Sequence, residues 1–129
     1  MQWSSVAPYG PGSRATAVGV NGEGASWFFQ CDGQNVLSGL RVSGLKEAEG
    51  QIRSVAIAFD KEPTEQSQWN VEQATLVLRG EPARVLSKRA ALAYHAVVTV
   101  DGKPARFALS GSHKAMYELM PTCPQLEIP

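Results

Sequence analysis

The chain of 129 residues is short of nearly everything that announces chemistry. It has two cysteines and two histidines, and its 12 basic residues balance 12 acidic ones. Charge balance argues against a globally basic nucleic-acid binder. No apolar run approaches the roughly 18 residues of a membrane-spanning helix. "NGEG" and "GPGS" lack the Gly-Lys-Ser/Thr ending of a phosphate loop, so they read as turns. The two cysteines have no CxxC spacing and no matching His/Cys set, which leaves neither a zinc site nor a thioredoxin-type centre. No metal and no cofactor is expected. "MQWSSVAPYG" has neither a basic start nor an apolar stretch, so it is not a signal peptide. Either the protein is cytosolic, or Met1 was added to a mature exported form that begins near Gln2, its signal peptide removed; the cysteines favour the second.

A domain of this size buries roughly two thirds of the surface its unfolded chain exposes, enough for a core without dense cross-linking. The two thiols then need an explanation. By strand alternation Cys31 shares a face with Trp27 and Phe29, an apolar setting that raises a thiol's pKa and makes it inert. A Cys31–Cys123 disulfide fits, and closing so long a loop contributes about 4.6 kcal/mol in the chain-entropy model. It implies an oxidising compartment, periplasmic or secreted. Two separate buried thiols are the alternative.

Residues 1–14, rich in Pro, Gly and Ser, read as an irregular N-terminal arm, and residues 15–129 as a single β-rich domain. "ATAVGV", "ASWFFQC", "VLSGLRV", "IRSVAIAFD" and "ATLVL" alternate as short strands. In "IRSVAIAFD", Val55, Ile57 and Phe59 form a large apolar face, and Ser54, Ala56 and Ala58 a small one with room for a helix. "GLKEAEGQ" (44–51) and "KEPTEQSQ" (61–68) are polar loops. "EPARVLSKRAAL" is a helix with Pro82 in its first turn and Val85, Leu86 and Leu92 as its apolar side. "LAYHAVVTV-DG-KPARFAL" is a hairpin on Asp101–Gly102, with Leu92, Tyr94, Ala96, Val98 and Val100 on one face. The segment "RFALSGSHKAMYELMPTC" turns from strand to short helix: Ser110 or Ser112 caps it, and Pro121 ends it. The fold class expected is mainly β, a β-sandwich or partly open barrel of six to eight antiparallel strands, with two short helices, one C-terminal.

Candidate chemistry is thin. Ser112 and His113 are neighbours whose side chains diverge on a helix, and the GxSxG elbow is missing, so capping outweighs catalysis. His95 has no acidic partner at local spacing. Glu47, Glu49, Asp60, Glu62 and Glu65 scatter through loops without the fixed pairing a glycosidase needs. Leu45–Glu72 holds three basic and six acidic residues, Gln73–Lys114 seven basic and two acidic, an asymmetry that orients a charged partner only if the fold keeps the segments apart. Arg79, Arg84, Lys88 and Arg89 gather around the first helix and suit an anion, although a solvated face is the plainer account. Trp27 belongs to the core; Trp3 and Trp69, flanked by polar residues, are the aromatic candidates for partner contact, with Tyr9 beside them.

The ending "RFALSGSHKAMYELMPTC" is similar to the closing element of invasion-associated locus B proteins and of VasI-like accessory lipoproteins of type VI secretion. "SWFFQCDGQNVLSGLRV" resembles a hairpin of small periplasmic proteins, including some C-type lysozyme inhibitors. The extra cysteines of the invasion-associated family are missing here. The resemblance implies export, a β-rich fold and a disulfide, and it transfers no catalytic or binding residue. The function expected is a non-catalytic exported bacterial protein, not an enzyme, that binds another protein or a cell-envelope component through loops and edge strands. No nucleic acid and no membrane span is expected. An inhibitor or immunity protein that plugs a cell-wall hydrolase with segments 44–51 and 60–68 is the alternative. A small hydrolase using His95 or His113 is the third reading.

Overall fold

Alternation decides which way each strand faces, and here it builds one curled sheet around aromatic side chains. The computed structural model describes residues 3–6, 14–32, 34–42 and 50–129. Among them nine strands form a single open antiparallel sheet: β1 (Ser4–Val6), β2 (Thr16–Val20), β3 (Ser26–Asp32), β4 (Asn35–Arg41), β5 (Ile52–Phe59), β6 (Glu65–Glu72), β7 (Thr75–Arg79), β8 (His95–Val100) and β9 (Lys103–Ala108). Their order is β1-β2-β3-β4-β7-β6-β5-β8-β9. Two helices, α1 (Glu81–Leu92) and α2 (Ser112–Leu119), and a 3-10 turn (Pro124–Leu126) complete it. The mainly β class and the C-terminal helix are as expected, with more strands than six to eight.

Trp27, Phe29, Leu40, Val55, Phe59 and Phe107 are fully or almost fully buried on the inner face. The Trp27 ring on β3 lies 6.2 Å from Phe59 on β5 and 5.5 Å from Phe107 on β9, far along the sheet order. Strand twist has therefore coiled the sheet until its distant strands share one core. The two edges meet. The Trp3 backbone N–H donates to Ser110 O at 2.9 Å and its indole N–H to Ala108 O at 3.2 Å; the Asn21 amide donates to Arg106 O at 3.2 Å. Outward carbonyls of β9 are thus already occupied, which blunts that edge as a template for another strand. Recognition through edge strands loses support at β9 for this reason.

The arm expected over residues 1–14 is partly a strand. Ser4–Val6 pairs with Thr16–Val18, and Trp3 stacks its indole on Gly19, where a Cβ would overlap the ring. Trp3 is only 3% exposed. Polar flanks hid an anchor whose indole needs one acceptor and otherwise wants burial. Tyr9 lies outside the described residues, as do Glu47 and Glu49 and most of segment 44–51.

The loop expected at 61–68 is shorter, because β6 begins at Glu65. Its inward face changes from Val71 and Trp69 to Ser67 and Glu65, so no apolar alternation marks its first half. The boundary between α1 and β8 also shifts. Helix runs to Leu92, Ala93 is extended, and the strand starts at His95, which leaves Leu92 63% and Tyr94 78% exposed. Asp60 fixes that junction: its carboxylate accepts the backbone N–H of Tyr94 and of His95, the latter at 2.9 Å.

Helix α1 buries Ala83, Leu86, Ser87, Ala90 and Ala91, not Val85 and Leu92. Small alanines let it sit close to β4, β7 and α2. Pro82 stands in the first turn as expected. On the small face of β5 Ser54 is exposed and Ala56 and Ala58 are half-buried, and the helices pack on β1, β2, β4 and β7 instead. Helix α2 starts at Gly111, a left-handed residue, with no side-chain cap. Ser112 does something else: its buried hydroxyl donates to Ala90 O at 2.8 Å, serving a last-turn carbonyl of α1 that has no intrahelical partner.

Cys31 and Cys123 form a disulfide across a sequence separation of 92, with Cα atoms 5.6 Å apart. It ties the end of β3 to the segment after α2, and Cys123 is buried in the core. Among the described residues no helix is long and apolar enough to cross a membrane.

Candidate binding site

Helix α1 packs on β4 and β7, and beside it a gap stays open over the already buried Ile57 and Phe59 of β5. The gap is an open cavity of about 380 Å³. Ile57 and Phe59 of β5 and Leu78 of β7 contribute from the sheet; Pro82, Val85 and Leu86 line it from α1. Val85 is 45% exposed because its side chain borders this opening and not the core. The polar groups come from β6 and the helix: Glu65, Gln66, Ser67, Glu81 and Arg89. A concave apolar surface with a few converging polar groups, in the size range of small-ligand sites, is the arrangement that recognises an amphipathic molecule.

Electrostatics at the rim follow from the strand β6 start. Arg89 lays its guanidinium over the Phe59 ring, 4.8 Å from the centroid, and pairs with both Glu62 (2.7 Å) and Glu65. Arg84 pairs with Glu81 and, at 3.0 Å, with Glu127, which also meets Lys88 at 3.5 Å. Arg79 pairs with Glu72. The Arg84 hydrogen bond holds the Glu81 carboxyl below the usual range, and Glu81 in turn raises Arg84. The basic group expected to meet an anion is therefore engaged throughout: Arg79, Arg84, Lys88 and Arg89 each face a carboxylate. The fold brings the acidic 60–65 loop to the basic helix, so the charge asymmetry along the sequence largely cancels in space here.

Trp3 and Trp69 are withdrawn as contact residues. Trp69 is fully buried on the inner face of β6, its indole N–H donating to Ser67 Oγ at 2.8 Å. The polar neighbours that suggested exposure are its alternating partners on the outer face. The histidines lie elsewhere. His113 stacks on Tyr117, and its Nε2 sits 2.7 Å from Pro129 O. With Leu92, Tyr94 and Ser112 it borders a second, shallower hollow between the helix ends. Ser112 spends its proton on Ala90 O, away from His113. Among the described residues no group of three His, Cys, Asp or Glu is placed to hold a metal ion.

The α1–β6 pocket was not visible from the residues alone. Its one signal is the unbroken polarity of Glu65 to Gln68 inside what proves to be a strand, where an inward face lines a cavity instead of a core. Comparison with protein-family models, with curated proteins and with solved structures finds no match.

Proposed function

We propose that this chain is a non-catalytic recognition domain of an oxidising bacterial compartment, periplasmic or secreted, and that it binds a cell-envelope component in the α1–β6 pocket. The observation that carries this reading is the open cavity with an apolar floor and a rim of ion-paired side chains. Paired rim groups orient a ligand; they are poorly placed to take up and release protons as a general acid or base must. The disulfide supports an oxidising environment.

A photo-crosslinking side chain at Val85, compared with one at Tyr94, tests the site against isolated envelope and against cytosol. Envelope adducts formed at Val85 and not at Tyr94 are expected. Adducts at Tyr94 alone, or at neither position, overturn the assignment.

A further inference from the structure

Resting on the pocket as the recognition site, we infer that its ligand is a small amphipathic cation: an apolar group that fits a cavity of about 380 Å³, bearing an amine. Shape and charge both point there. The floor of Ile57, Phe59 and Leu86 offers no hydrogen bond, so the buried part of the ligand must be apolar. At the rim one guanidinium serves two carboxylates, Glu62 and Glu65, and so leaves a surplus negative charge. Glu81, the other carboxylate at the pocket, is already matched by Arg84. An ammonium arriving beside Glu65 completes the Arg89 cluster without breaking a bond in it. An anion must instead strip Arg89 from both carboxylates and from the Phe59 face, and then lie against Glu65. The site therefore discriminates by repelling acids as well as by attracting amines.

The test titrates the isotope-labelled protein with octylamine, 1-octanol and octanoate, following backbone amide shifts, with the end-capped dipeptide N-acetyl-Leu-Lys-amide, its lysine side-chain amine free, as a fourth arm. Expected is saturable octylamine binding, with shifts at Ile57, Ser67, Leu86 and Arg89, and octanoate weaker by about tenfold or more, a difference of about 1.4 kcal/mol. Saturation by octylamine alone assigns a free amine; saturation by the peptide as well assigns an amine carried on a polypeptide. V85W fills the mouth from a half-exposed helical position and should abolish binding while the rest of the spectrum stays folded. E62Q/E65Q, at exposed positions, should erase the preference for amine over alcohol while keeping alcohol binding, which a merely structural role would not do. Absence of saturable shifts with octylamine, or tighter binding of octanoate, overturns the inference. Neither result removes the Val85 crosslink, so the ligand class and the site fail separately.

Discussion

The two sides of α1 are closed by different physics. On the side of β1–β4 and α2, the sheet is sealed by Trp3, Trp27, Phe29 and Phe107, by Ser112 on Ala90 O, and by the disulfide. On the side of β5 and β6, an apolar cavity separates the same helix from the sheet, and Arg89 bridges it, stacked on Phe59 and paired with Glu62 and Glu65. Buried aromatic contact stabilises by area and shape and tolerates no loss. Exposed ion pairs contribute about 0–1 kcal/mol and exchange partners freely. One side holds the fold; the other is able to admit a guest.

Truncating the sealed side should hurt most. Trp27→Ala removes a fully buried indole that touches Trp3, Phe29, Phe59 and Phe107 and donates to Ser38 Oγ at 3.0 Å. A loss of about 3–5 kcal/mol is expected in urea unfolding, near the whole stability of a small domain. A loss below about 1 kcal/mol would mean that this side is not the keystone. Reduction, or C31S/C123S, should cost about 2–5 kcal/mol, measured by the same unfolding curve with and without reductant. Native protein with two alkylatable thiols would remove the bridge from the comparison altogether. Next comes Ser112→Ala, expected to cost about 1–3 kcal/mol because Ala90 O is left buried without a donor. Its circular dichroism should stay native, which separates loss of docking from loss of helix.

How much of this contrast the residues announced depends on which side is considered. Trp27, Phe29, Cys31 and the strand faces around them were legible, because alternation with large apolar residues has one good solution. So was α1 from Pro82 onward, and so was the tight turn at Asp101–Gly102, where both residues take positive φ. Trp3 gave no sign of burial because a lone aromatic within a polar arm depends on Gly19, sixteen positions away, for a flat seat. Trp69 and β6 were misread for the opposite reason: a strand that lines a cavity need not alternate. Leu92 and Tyr94 suited the strand pattern equally well, and Asp60, a distant carboxylate, decides where helix yields to strand. The pocket escaped notice altogether. Which helix face meets which strand is set by tertiary packing, and the alanines that draw α1 toward β4 and α2 carry no periodic hint that a cavity stays open beside β5 and β6.

On the open side the expected effects are small. Arg89→Gln removes the pairs to Glu62 and Glu65 and the guanidinium from the Phe59 face, and should change stability by no more than about 2 kcal/mol, less at high salt. A larger loss would show that the ion pairs hold α1 in place, and the contrast between the two sides would collapse.

Smallest of all is the effect at Glu81, whose carboxyl is held below its ordinary 4.5 first by the Arg84 hydrogen bond and then by its charge. A carboxyl depressed in the folded state binds its proton more readily when unfolded. The stability it lends is therefore fully present above the unfolded value and fades as pH falls through the lower folded one. Carbon-detected NMR of the Glu81 side chain should give a midpoint under 4.5, and Arg84→Gln should return it toward that value. Glu81 is exposed, so the midpoint should move while global unfolding scarcely responds. If Arg84→Gln left the Glu81 midpoint where it was, the ion pairs along α1 would not be formed in solution. The rim of the pocket would then be a set of independent charges instead of linked ion pairs.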